Sequence, residues 1–279
     1  KDLIEWKQIL LPDFGVLVRV AGESITYDAA LKALQQSKEK DIYRRVFDMP
    51  EQTFPRAWSD VPQKGRHYIP LSFEGGRQHF GLDGDCSAYC VKNWITKLHG
   101  NDTERCLWSD DRISFHFGLP VEKLVDRQTV DGCLPMTVST WELDGVRYTQ
   151  TAFVIPLNGV PAEGQRILAD DTLVLMVRFE MEALPGASAA QARLVLSTSD
   201  GGDEEALSVE GDSLVANPGG RLRMRVSDSD RIKMDEKNAV YSAKCGGSKS
   251  VLDISIPYIT LKREDSKELA QLRSLKFED

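Results

Sequence analysis

The stretch Met136-Thr137-Val138-Ser139-Thr140-Trp141-Glu142-Leu143-Asp144-Gly145-Val146-Arg147-Tyr148-Thr149-Gln150-Thr151-Ala152-Phe153 decides the fold class of this chain. Two strand-like runs flank Asp144-Gly145. An Asp-Gly pair in that setting marks a two-residue hairpin, because a type I′ turn needs positive φ at both central positions. Counting outward from the turn sets Leu143 opposite Val146, Trp141 opposite Tyr148 and Ser139 opposite Gln150 on one face. Glu142 with Arg147, Thr140 with Thr149, and Met136 with Phe153 take the other. Ordered pairs on both faces place the ribbon in a large antiparallel sheet partly covered on both sides, and point to a β-sandwich. Trp141 alternates inward with Leu143, as a core residue does.

Beyond the hairpin, Thr172-Leu173-Val174-Leu175-Met176-Val177-Arg178-Phe179-Glu180-Met181 is nearly continuously apolar, which predicts a central strand covered on both faces. Arg193–Ser197, Ala206–Val209, Ser213–Ala216, Leu222–Val226, Ala239–Ala243 and Val251–Ile256 continue the strand series, with turns at Asp200-Gly201-Gly202-Asp203 and Asn217-Pro218-Gly219-Gly220. Upstream, Arg66 to Phe117 reads as several short strands separated by Glu74-Gly75-Gly76, Asp83-Gly84-Asp85 and His99-Gly100-Asn101-Asp102. Trp6–Val20 reads as a strand pair broken at Pro12-Asp13-Phe14-Gly15, and Asp28–Phe47 as a helix or two short ones capped by Thr26 or Asp28. Met49–Pro70, rich in Pro and aromatic residues, reads as a long ordered loop. At the other end, Leu269, Leu272 and Leu275 set a helical spacing over Asp265–Leu275 that looks like the exit from one domain into another.

Composition narrows the function classes. The 279 residues are 41% hydrophobic and 28% charged, enough to bury a sizeable core. A net charge of -8 without a long basic run argues against nucleic acid and anionic membrane as partners, and no run of about 18 apolar residues would span a bilayer. A sugar or a second protein domain remains as partner. The five cysteines, Cys86, Cys90, Cys106, Cys133 and Cys245, are odd in number and scattered, so they read as free thiols rather than as a disulfide framework.

The order DGCLPMTVSTWELDGVRYTQTAFVIPL (131–157), DDTLVLMVRFEME (170–182) and SVLDISIPYITL (250–261), running into a leucine-spaced helix, resembles the N-terminal β-sandwich domain of bacterial glycoside hydrolases whose catalytic domain is an (α/α) six-hairpin barrel. The resemblance covers residues 110–279 and rests on this pattern rather than on a diagnostic motif. It implies a mainly β fold: a large antiparallel supersandwich, related to galactose mutarotase, over residues 1–260. A short helical insertion at about residues 28–48 departs from the family pattern, and residues 261–279 would begin a linker helix toward the barrel. It further implies carbohydrate as the ligand class, a periplasmic or secreted location, no cofactor or metal, and a general acid and base that belong to the barrel, leaving no catalytic residue in this chain.

Glycoside hydrolysis needs two carboxyl groups across a sugar, and 43 acidic residues supply many accidental pairs. Asp83 with Asp85, and Asp200 with Asp203 and Glu204, are calcium candidates by composition, but neither completes an EF-hand loop and turn chemistry accounts for both. Of the histidines His67, His79, His99 and His116, His67 or His79 with Glu74 is the best local acid–base candidate for an epimerase. Trp58, Trp94 and Trp108 are the candidate sugar-stacking residues, since exposed indole rings pack on the C–H faces of pyranoses. Three roles follow. A supporting sandwich domain of a glycoside hydrolase predicts an apolar docking patch near the C-terminus. A stand-alone carbohydrate-binding sandwich predicts exposed aromatics, and a mutarotase-like epimerase a concave face with converging His, Arg and carboxylate.

Overall fold

The computed structural model describes residues 8–11, 15–19, 25–36, 69–73, 76–85, 87–91, 112–132, 134–162, 165, 167–169, 171–187, 190–246 and 248–278. The chain forms two compact units that part between Ala57 and Trp58. In the first, β1 (Gln8–Leu11) and β2 (Val16–Arg19) pair antiparallel with Leu11 opposite Val16, as the break at Pro12–Gly15 predicts. A helix spans Tyr27–Gln36. Thr26 is its cap: the Thr26 hydroxyl accepts the Ala29 N–H at 3.3 Å and its carbonyl accepts that of Ala30 at 3.0 Å. The expected continuation of the helix toward Phe47, and most of the 49–70 loop, lie outside the described residues.

Among its described residues the second unit has sixteen strands. They are β3 (Ile69–Ser72), β4 (His79–Leu82), β5 (Ala88–Val91), β6 (Arg112–His116), β7 (Leu124–Thr129), β8 (Thr137–Leu143), β9 (Val146–Pro156), β10 (Leu173–Ala183), β11 (Ala190–Asp200), β12 (Asp203–Glu204), β13 (Ala206–Glu210), β14 (Ser213–Asn217), β15 (Arg221–Val226), β16 (Ile232–Asp235), β17 (Asn238–Cys245) and β18 (Ser250–Pro257). One antiparallel sheet runs β13-β14-β15-β18-β10-β9-β8-β7, the other β16-β17-β11-β6-β5-β4-β3 with β12 paired to β11. The protein is therefore mainly β, with two large antiparallel sheets and, among the described residues, two α-helices.

The β8–β9 hairpin has the register expected from its turn, with Leu143 opposite Val146, Trp141 opposite Tyr148 and Ser139 opposite Gln150. Asp144 and Gly145 take φ of 50° and 77°, the left-handed geometry a type I′ turn requires. Met136 stops one residue short of the ladder, and its carbonyl accepts the Val130 N–H instead. Trp141 is wholly buried.

Side chains of both sheets meet in one apolar core. Phe80, Phe115, Phe117 and Leu194 enter it from the second sheet and its connections, and Trp141, Leu175, Phe179 and Ile254 from the first. Phe117 meets Phe179 edge-on at 5.2 Å between centroids, and Phe80 meets Tyr258 at 5.3 Å. As its apolar run predicts, β10 is central, between β9 and β18, and Leu173 to Val177 are buried on both faces.

The second face of β10 is covered by the C-terminal helix Ser266–Ser274. Leu269, Leu272, Leu275 and Phe277 join Val174, Met176, Ile155 and Leu157 in a separate apolar cluster. The leucine-spaced residues, read as the exit toward another domain, are thus packed on this chain's own sheet. Arg178 holds the end of the segment: it makes a two-pronged ion pair with Asp253 (2.6 and 2.8 Å), bonds Glu278 at 2.5 Å and lies 4.1 Å over the Phe277 ring. That contact keeps the Glu278 carboxyl below its ordinary range.

Strands β7, β12 and β16 lie outside the strand series read from the sequence. Leu124-Val125-Asp126-Arg127-Gln128-Thr129 loses alternation to a bulge between Leu124 and Asp126, and Ile232-Lys233-Met234-Asp235 is short, charged and at a sheet edge.

Replacing Phe179 by Ala removes a wholly buried ring that touches Phe117 on the opposite side of the core. The expected cost is about 3–5 kcal/mol, read as a lowered urea midpoint with an unchanged slope.

Candidate functional site

Trp58, Trp94 and Trp108, the candidate sugar-stacking residues, lie outside the described residues, as do His67, Glu74 and His99. His79 is half-buried at the start of β4, opposite Ser72. The polar groups that do come together occupy two places in the second sheet: its outward face across β5, β6 and β11, and the buried end of β11.

Alternation fixes the outward face. Ile113 and Phe115 of β6, Ala88 and Cys90 of β5, and Leu196 and Thr198 of β11 point into the core, so Arg112, Ser114, His116, Tyr89, Ser197 and Ser199 point away from it. The register aligns Gly81 with Tyr89, Tyr89 with Ser114, Ser114 with Ser199, and His116 with Ser197. All but Gly81 are half-buried.

Tyr89 does not stand up from the sheet. A Cβ on Gly81 would come within 2.2–2.5 Å of its ring atoms, so the ring lies flat over the bare glycine backbone. Arg112 lies over this ring, with the guanidinium carbon 4.6 Å from the ring centroid, a cation–π contact. The sequence carries one signal of this arrangement: an isolated Gly within the strand pattern His79-Phe80-Gly81-Leu82, which marks a close approach.

The β4–β5 turn closes one end of this face. Asp85 Oδ1 accepts the Ser87 N–H at 2.9 Å, the Asp83 N–H bonds the Ser87 carbonyl at 2.7 Å, and His116 Nδ1 sits 3.1 Å from Ser87 Oγ. Asp83 and Asp85 therefore do turn work. Arg127 reaches from β7 of the other sheet to donate to the Asp83 carbonyl at 2.5 Å, and its Nε donates to Ser139 at 3.3 Å. Burial, then the Asp85 charge, push the Asp83 carboxyl above its ordinary range, against the pull of Arg112, His116 and Arg127.

At the far end of β11, the side chains of Arg223 and Glu205 are 2% and 9% exposed and form a two-pronged pair at 2.8 and 2.7 Å. Arg223 also reaches Asp200 at 3.3 Å and Thr260 at 3.2 Å, and Thr198 donates to Glu205 at 3.1 Å. Arg221 adds contacts of 3.6 Å to Asp200 and 3.4 Å to Glu205. Two carboxylates flank one guanidinium, yet a glycosidase pair needs one carboxyl that keeps a proton to donate. Arginine side chains lie at ion-pair distance from both acids, so the cluster is an ionic clasp between β15 of one sheet and β11 of the other. Cys90, next to it in the core, is a free thiol whose pKa burial pushes up to about 12. Such a thiol is no nucleophile at neutral pH. Among the described residues no group of three or more His, Cys, Asp or Glu is placed to hold a metal ion.

Arg223→Ala would strand Glu205 and Asp200 in the interior, an expected loss of about 3–5 kcal/mol in chemical denaturation. Asp83 gives a pH signature. A carboxyl whose folded pKa is raised stabilises the fold below its unfolded value near 3.8, and that contribution is lost as pH rises through the folded value. Asp83→Asn is accordingly expected to match the parent in the most acidic conditions and to become the more stable protein as pH rises past that window, measured by paired urea titrations. No protein-family model matches the chain, and no curated protein matches it either.

Proposed function

We propose that the two sheets form a galactose mutarotase-like supersandwich, and that this chain is the supporting β-sandwich domain of a carbohydrate-active enzyme of the glycoside hydrolase kind. Its carbohydrate cleft and catalytic carboxylates would then sit in an adjoining helical barrel. The observation that carries the reading is the breadth of the architecture: sixteen strands in two long antiparallel sheets over one core, twice what an immunoglobulin-type sandwich uses. The clasp of Arg223, Glu205 and Asp200 supports it as well, because these acids are engaged in holding the two sheets together. A stand-alone carbohydrate-binding sandwich is the second reading, favoured by the outward surface around Tyr89 and Arg112.

The test compares residues 1–279 with the product of the whole reading frame on a panel of aryl glycosides and polysaccharides. Hydrolysis by the longer product and none by residues 1–279 is the expected result. Equal turnover by residues 1–279 alone would overturn the supporting role and move the active site into this chain.

A further inference from the structure

Arg112 is set apart from the arginines that face outward on the other sheet. On the β10 sheet the arginines are engaged: Arg147 pairs with Glu142 at 2.7 Å and Glu182 at 3.4 Å, Arg178 with Asp253 and Glu278, and Arg225 with Asp212 at 2.8 Å. On the second sheet, Arg112 is stacked on Tyr89, and among the described residues no side-chain hydrogen bond or ion pair engages its five N–H groups. The hydroxyls of Ser114, Ser197 and Ser199 make none either, and His116 uses only Nδ1, toward Ser87. These five side chains share one face of two adjacent strands, and all are half-buried.

Half-buried polar groups lose part of their hydration and are ordinarily compensated by a protein partner. Here, among the described residues, Arg112, Ser114, Ser197 and Ser199 have no side-chain hydrogen-bond or ion-pair partner, and His116 has one, at Nδ1. A guanidinium seated over an aromatic ring is restrained before it meets a planar carboxylate with two parallel hydrogen bonds, so less side-chain entropy is left to lose. Beyond it, serine hydroxyls and the free imidazole nitrogen offer donors and acceptors of the kind ring hydroxyls use. Arg112 to His116 spans about 13 Å along β6, and the serines of β11 lie about 5 Å to the side, a patch suited to a short oligosaccharide.

We infer that the outward face of β6 and β11 is a binding site for a uronate-bearing oligosaccharide, its carboxylate on Arg112 and its hydroxyls on Ser114, Ser197, Ser199 and His116. The inference rests on the carbohydrate reading above and adds the charge class of the sugar. The chain's net charge of -8 does not forbid it, because charges beyond a Debye length of about 8 Å at physiological salt are largely screened while a direct Arg–carboxylate contact is not.

Titration calorimetry with trisaccharides of galacturonate, mannuronate and glucuronate, each beside its carboxyl-reduced counterpart, tests the site. At least one uronate is expected to bind about tenfold or more tighter than its reduced form. Arg112→Ala should abolish that preference, and Arg112→Lys should restore only part of it, because an ammonium keeps the charge but not the fork. Arg147→Ala, on the other sheet, should leave binding unchanged, and the thermal transition of each variant verifies folding. Equal binding of acidic and reduced sugars, or a preference that survives Arg112→Ala, would overturn the acidic-sugar site while leaving the carbohydrate reading standing. Binding of none of the sugars would overturn the site outright, and the hydrolysis comparison on the whole reading frame would then decide the broader reading separately.

Discussion

Burial of β10 on both faces organises the rest of the unit. Leu173, Leu175, Val177, Phe179 and Met181 point into the main core, and each such side chain contributes about 1.5–3 kcal/mol when removed from water. Val174 and Met176 point the other way and need cover of their own, which Leu272, Leu275 and Phe277 of the C-terminal segment provide. Where that cover ends, β10 turns polar on its outer side, and Arg178, Glu180 and Glu182 find ionic partners on neighbouring strands and on the C-terminal segment. One strand's sequence thus prescribes both the path of the final helix and the boundary of the apolar outer surface.

Charge is spent in three ways across the molecule. On the outer face of the β10 sheet, ion pairs such as Arg147–Glu142, with both side chains more than a third exposed, hold surface order and contribute little to stability. Between the sheets, the clasp around Arg223 is a different object: desolvation makes such a cluster costly to form and costlier to break, so its main effect is to fix how β15 meets β11. On the outward face of β6, Arg112 is seated over Tyr89 and, among the described residues, has no side-chain acceptor, which is the arrangement expected of a surface kept for something else.

The hairpin register could be read from the sequence because Asp144-Gly145 permits one turn geometry and the alternation on either side permits one pairing. The centrality of β10 could be read because Leu173 to Val177 leaves no polar face for water. Other features depend on partners far away in sequence. β11 extends well past the Arg193–Ser197 core of its signal because its first half pairs with β17 and its last four residues pair with β6. Thr198, Ser199 and Asp200 lie past that signal, and pairing with β6 extends the strand through them. The outward polar site leaves little trace in the sequence for the same reason. Tyr89 and Arg112 lie on neighbouring strands but more than twenty positions apart, and the aromatic ring lies on a glycine instead of belonging to Trp58, Trp94 or Trp108.

Gly81 and Tyr89 constrain one another across the β4–β5 pair. The ring occupies the volume that any side chain at position 81 would need, while β4 and β5 themselves would accept an alanine there as backbone. Across diverging copies of this sequence the two positions should therefore drift as a linked pair: wherever residue 81 acquires a side chain, residue 89 should shrink or turn upright. An arginine at position 112 would then lose its seat and with it the reason to be retained.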